Sequence, residues 1–149
     1  MKAKRTWVVV ADGRTALIFE NDGPEHGLSK VPGGELHAER PDARGLFSDR
    51  AGRAFDTAGQ GRHAMEPPTS AEEQVRMRFV RTLVDWLDKP ARAGAADRLV
   101  LVAPPKMLGD LRAELSDQLS RKVVAELDKD LTKTPPDDIV RALGELIVL

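Results

Sequence analysis

Trp7-Val8-Val9-Val10-Ala11-Asp12-Gly13-Arg14-Thr15-Ala16-Leu17-Ile18-Phe19-Glu20 reads as two short strands around a tight turn. Trp7 to Ala11 is a β-branched run without a polar break, the pattern of a buried strand. Asp12-Gly13 is a strong hairpin signal, and Thr15 to Glu20 is apolar enough to return beside the first strand. Working outward, Asn21-Asp22-Gly23-Pro24 is a second turn cluster. Leu28 to Ala38 is a weaker third strand, bent at Pro32-Gly33-Gly34, as suits an outer position or a bulge. Short connections make these three an antiparallel meander.

Glu39 to Pro68 carries no usable periodicity. Loops of this length are uncommon in compact domains and are usually functional or disordered. Order returns at Ser70-Ala71-Glu72-Glu73, which fits a capping box. Val75, Phe79, Val80, Leu83, Trp86 and Leu87 then share one helical face, and Lys89-Pro90 and Gly94 end that helix. Leu99 to Ala103 is a continuous apolar strand, stopped by Pro104-Pro105. Leu108, Leu111, Leu115 and Leu119 mark a second amphipathic helix. Lys122 to Leu127 reads as a fifth strand with Val123, Ala125 and Leu127 on one face. Thr134 is placed as the cap of a last helix, Pro135 as its first residue, and Asp137 and Asp138 at the positive end of its dipole. Ile139, Val140, Leu143 and Leu146 or Ile147 supply its apolar face.

The expectation is an α/β fold: a mixed five-stranded sheet, an antiparallel meander plus two strands reached through helices, with three main helices. A single domain spans residues 1–149, with a long flexible Gly/Arg-rich loop at about 39–69. At 149 residues the chain can bury one sizeable core without staples. Its net charge of −1 gives no wholesale attraction to nucleic acid or membrane, so any basic site is local. With no cysteine, disulfide scaffolds, thiolate zinc sites and cysteine nucleophiles are excluded. No apolar run approaches the roughly 20 residues of a membrane span, and the apolar stretch ending at Asp12 is too short for a secretory leader. A cytoplasmic protein is expected, with no cofactor and no metal.

The order of elements resembles the ribonuclease-H-like topology. Asp49-Arg50-Ala51-Gly52-Arg53-Ala54-Phe55-Asp56, then Gly61-Arg62-His63-Ala64-Met65-Glu66, then Glu126-Leu127-Asp128-Lys129-Asp130-Leu131-Thr132-Lys133 follow the opening Trp7 to Gly13. In this order and spacing they resemble the bacterial host attachment protein family over nearly the whole chain. That family is itself similar to the middle domain of archaeal and eukaryotic class-1 peptide release factors. The similarity implies the same sheet-and-helix arrangement, and a Gly-Gly-Gln motif in the loop between the third strand and the first long helix. Here that loop holds Ala58-Gly59-Gln60-Gly61-Arg62; Gly59 and Gln60 match and the first glycine is Ala58. A Cβ at Ala58 disfavours a left-handed backbone, which weighs against release activity.

Over residues 40–63 five arginines face three aspartates. Guanidinium forks interleaved with glycines suit phosphate recognition. The candidate binding residues are Arg44, Arg50, Gly52, Arg53, Phe55, Gly59, Gln60, Arg62 and His63, with Phe55 as a stacking group. The competing reading is a solvated loop whose arginines pair with Asp49 and Asp56. Asp12, Glu20, Asp128 and Asp130 are the acids a metal-dependent nuclease would use, though Asp12 is more simply a turn residue. His26 and His37 lack metal-ligand spacing, and Trp7 and Trp86 read as core. The first functional reading is a non-enzymatic protein associated with the ribosome or RNA. The alternative is a protein required, indirectly, for bacterial attachment to host cells; a nuclease or peptidyl-ester hydrolase is the third. The third strand is a candidate outer strand open to a partner, and a homodimer is left open.

Overall fold

The computed structural model describes residues 4–39, 70–89 and 94–149. Five strands and four helices follow in the order β1 (Thr6–Ala11), β2 (Thr15–Asn21), β3 (Ser29–His37), α1 (Ala71–Asp88), β4 (Arg98–Val102), α2 (Pro105–Glu114), α3 (Asp117–Ser120), β5 (Val123–Leu127) and α4 (Pro136–Ala142). They form one mixed sheet, ordered β3-β2-β1-β4-β5. β1 pairs antiparallel with β2 and parallel with β4; β3 completes the meander, and β5 is parallel to β4.

β1 lies at the centre because it can: every one of its residues is buried, so both of its faces need cover. Trp7, Val9 and Ala11 face a core built with α1 and α2, including Phe79, Leu83, Met107 and Leu111. Val8 and Val10 face the opposite core, with Phe19, Ile139, Leu143 and Leu149. Each fully buried side chain of this size contributes about 1.5–3 kcal/mol. The result is a three-layer sandwich with α1 and α2 on one face and α4 on the other.

The first turn closes on a carboxylate. Asp12 Oδ1 accepts the backbone N–H groups of Arg14 (2.8 Å) and Thr15 (2.7 Å), and the Asp12 N–H donates to the Thr15 carbonyl at 2.9 Å. Gly13 is not in a left-handed conformation, so the turn rests on the aspartate. The bend expected at Pro32-Gly33-Gly34 is present. Gly33 has φ +75°, and the β2–β3 register shifts between Leu17 and Phe19.

Three local expectations are corrected. The leucine series 108-111-115-119 is two helices, not one. Leu115 turns extended (ψ 138°) after α2, and the Ser116 side chain caps α3 by accepting the Leu119 N–H. All four leucines are nonetheless buried, because the break keeps the apolar series on the core. The last helix is capped at Pro135 with no side-chain bond, and Pro136 is its first residue; Thr134 is outside it. In β5, Val123 packs on the α1/α2 side while Ala125 and Leu127 pack on the other. A register shift between Leu99 and Val100 inserts one residue and breaks the alternation.

Candidate functional site at the carboxyl end of the sheet

Topology singles out one end of the sheet. β1 passes the chain to β2 through the Asp12–Arg14 turn, while β4, its parallel neighbour, passes it to α2 in the other direction. This is the end at which open α/β sheets take ligands, and a crevice opens here between the end of β3 and α1. β3 runs in the same direction as β1, so it finishes here. α1 must return before β4 can run parallel, so it starts here. Two contacts agree: the Ala38 N–H donates to the Arg14 carbonyl at 2.7 Å, and a Cβ on Gly13 would stand 3.8 Å from the Arg76 side chain. Glu39 and Ser70, the described residues on either side of 40–69, therefore both lie at this end.

The side chains around the crevice are held by local chemistry. The Ser70 hydroxyl accepts the Glu73 N–H (3.1 Å) and Glu73 reaches back to the Ser70 N–H (3.4 Å), the reciprocal capping box expected from sequence. One turn on, Arg76 Nε donates to Asp110 Oδ2 at 2.7 Å, a partly buried ion pair joining α1 to α2. The Thr132 hydroxyl stands 2.7 Å from Asp130 and 3.2 Å from Asp12. It has a single proton to share between them, so it stitches the segment after β5 to the first turn.

Between the end of β3 and α1 runs a groove with Val75 and Phe79 as its floor and Arg78, Arg81 and Thr82 along its helical side. On the strand side stand His37 and Glu39. His37 is engaged at both nitrogens, Nε2 with Glu35 at 3.0 Å and Nδ1 with the Thr15 hydroxyl at 3.5 Å. The hydrogen bond from His37, with a second from Lys30, holds the Glu35 carboxyl below the usual range. Arg81 makes no hydrogen bond or ion pair among the described residues. Two guanidiniums above an apolar floor suit a planar or phosphate-bearing anion.

Arg44, Arg50, Gly52, Arg53, Phe55, Gly59, Gln60, Arg62 and His63 lie outside the described residues. The acids weighed for a nuclease divide. Glu20 pairs in register with Trp7, at the opposite end of the sheet from Asp12, and accepts the Trp7 indole N–H at 3.0 Å. Asp12 is occupied in its turn, as the simpler reading had it. Among the described residues no three His, Asp or Glu side chains stand in a metal-holding arrangement. Trp7 is buried and packs against Trp86 with ring centroids 5.9 Å apart and the rings tilted by 37°, both within or against the core. His26 lies at the far turn, bonded to Asp22 at 2.8 Å. Sequence reasoning missed Arg76, Arg78 and Arg81. The signal was present, three arginines on α1 directly after the arginine-rich segment, but only the apolar face of that helix was read.

Residues 7–143 match the family described as "Protein required for attachment to host cells". An uncharacterized protein of Rickettsia prowazekii (strain Madrid E) is 35% identical over 80 residues, 52% of this chain and 53% of that protein. The match thus spans about half of this curated relative's length. Among solved structures, an archaeal translation termination factor aligns at 13% identity with a TM-score of 0.49, covering 95% of this chain and 39% of that one. No described helix is long and apolar enough to cross a membrane.

Proposed function

The chain belongs to the family of proteins required for attachment to host cells, and on that footing we propose that it is a non-enzymatic binding protein of the cytoplasm that recognises RNA, free or on the ribosome. The arginine-glycine segment 42–64 is the contacting element, and the groove beside α1 extends it. Its part in attachment is then indirect, through the molecules it binds. One observation carries this reading. The described residues that flank the segment richest in guanidinium and glycine, Glu39 and Ser70, lie at the end of the sheet where this fold class takes ligands, and Glu39 lines the groove with Arg78 and Arg81. The engagement of Asp12 and the placement of Glu20 at the far end favour binding over metal-dependent hydrolysis.

The test is RNA and ribosome binding across a salt series. Wild-type protein is expected to co-sediment with ribosomes at low salt and disperse as salt rises. Replacing Arg44, Arg50, Arg53 and Arg62 by Gln keeps the segment's length and removes four cations. It should reduce the steepness of log K against log salt by about 3, from roughly 0.7 per single-strand phosphate contact; deletion of 42–64 should do at least as much. A slope unchanged by both variants overturns the reading. Labelling of the protein on the surface of intact cells, without ribosome co-sedimentation, would instead favour a direct role in attachment.

A further inference from the structure

Most of the polar groups described along the groove between β3 and α1 are already engaged. His37 is held by Glu35 and Thr15, and the Thr82 hydroxyl donates to the Arg78 carbonyl at 3.0 Å. Arg78 has a partner as well. Two groups remain: Arg81 on α1, and Glu39 just past the end of β3. Both are exposed, and neither has a hydrogen bond or ion pair among the described residues. The floor beneath them, Val75 and Phe79, is 3% and 2% exposed. It gives a dry wall and little area for stacking, so selection falls to the two groups on the rim.

A cation and a carboxylate left open on one cavity suit a ligand that is anionic at one end and a hydrogen-bond donor at the other. A nucleotide is such a ligand, with phosphate for the guanidinium and a base edge for the carboxylate. The cavity volume of 620 Å³ falls within the about 300–1,000 Å³ of small-molecule sites. Among the bases, guanine fits a carboxylate best. Its N1–H and N2–H stand side by side on the Watson–Crick edge, and a carboxylate has two acceptor oxygens to meet them. Adenine and cytosine set a ring-nitrogen acceptor beside the amino group, and uracil flanks its one N–H with two carbonyls. Each of these three turns a lone pair toward Glu39. In a duplex the guanine donors are taken by pairing, so only an unpaired base presents them.

We propose that this groove holds one unpaired guanine nucleotide, with Glu39 on the base edge and Arg81 on the phosphate. The proposal rests on the reading of the chain as an RNA-binding protein and gives that reading a base preference. The arginines of 42–64 then supply contact without regard to sequence, and the groove supplies the selection.

Equilibrium dialysis of the full chain against the 5′-monophosphates of guanosine, adenosine, cytidine and uridine tests this. Guanosine monophosphate is expected to bind about tenfold tighter than each of the others. Glu39→Gln puts one acceptor and one donor in place of two acceptors and should level the four. Arg81→Gln should weaken guanosine monophosphate about tenfold, keep the base order, and leave the binding of guanosine, which has no phosphate, unchanged. Circular dichroism checks the fold of both variants, and both positions are exposed. No binding below about 10 mM, equal binding of the four, or a guanine preference that survives Glu39→Gln overturns the proposal. So does displacement of guanosine monophosphate by an equal concentration of a free amino acid, whose two charges match the same pair of groups. Ribosome co-sedimentation reads residues 42–64 and this titration reads the groove. Guanine selection beside a salt slope unmoved by the segment variants would uphold the groove without the segment, and the reverse result would remove this proposal alone.

Discussion

Gly34 has no room for a side chain. A Cβ there would come within 2.9 Å of the Val31 carbonyl oxygen and 3.1 Å of Ile18 Cβ, both parts of the sheet that cannot swing aside. Gly34→Ala should therefore destabilise the protein by about 1–3 kcal/mol through overpacking, read as a lower midpoint in denaturant. Asp22 offers a different test. The hydrogen bond from His26 holds its carboxyl below the ordinary range. A group whose folded pKa is depressed contributes stability above its unfolded pKa and loses it as pH falls through the folded one. The pair is well exposed, so the contribution is small, but the titration is readable. By carboxyl NMR, His26→Ala should raise the Asp22 pKa toward its ordinary value and leave Glu35 where it is. An unmoved Asp22 would show that the imidazole is not the cause. Residue identities made the Asp12 turn and the Pro32-Gly33-Gly34 bend readable beforehand, since those residues act through their own backbone and side chain.

Elements were legible where local rules suffice. The capping box at Ser70 and the apolar face of α1 follow from i, i+3 and i+4 spacing, and both are present. The break at Leu115-Ser116 was not legible, because a leucine at every third or fourth place satisfies one helix as well as two in series. Nor was the bulge in β5, which arises from pairing with β4 and leaves no local mark. The link between α1 and α2 is likewise tertiary. Arg76 and Asp110 stand 34 positions apart, with 20% and 31% of their side chains exposed. Asp110→Ala should strand a partly buried guanidinium and cost about 1–3 kcal/mol. Arg76→Met combined with Asp110→Ala should recover part of that loss, because no unpaired charge remains. Equal losses in the single and double variants would show that the ion pair contributes only packing.

At the scale of the molecule, the proposed RNA-facing surface lies at the end of the sheet where β1, β3 and β4 finish and α1 begins. The candidate binding residues were legible as a composition, guanidinium interleaved with glycine, and the place of the described residues that flank them became legible only with the topology. The groove beside α1 was invisible for a related reason. Arg78 and Arg81 look like an ordinary solvated helix face until the end of β3 is laid beside them.

Local pattern was enough to establish the kinds of element, their order, the mixed sheet and the burial of β1. Each follows from side-chain periodicity, turn chemistry and connection length, which act within a few residues of the chain. Tertiary contact alone decided the rest: that Glu20 and Asp12 lie at opposite ends of the sheet, and that the arginines of α1 border the groove at the end of β3. Those outcomes depend on strand direction and on which distant segments pack together, and a burial pattern read along the chain is the same for either choice.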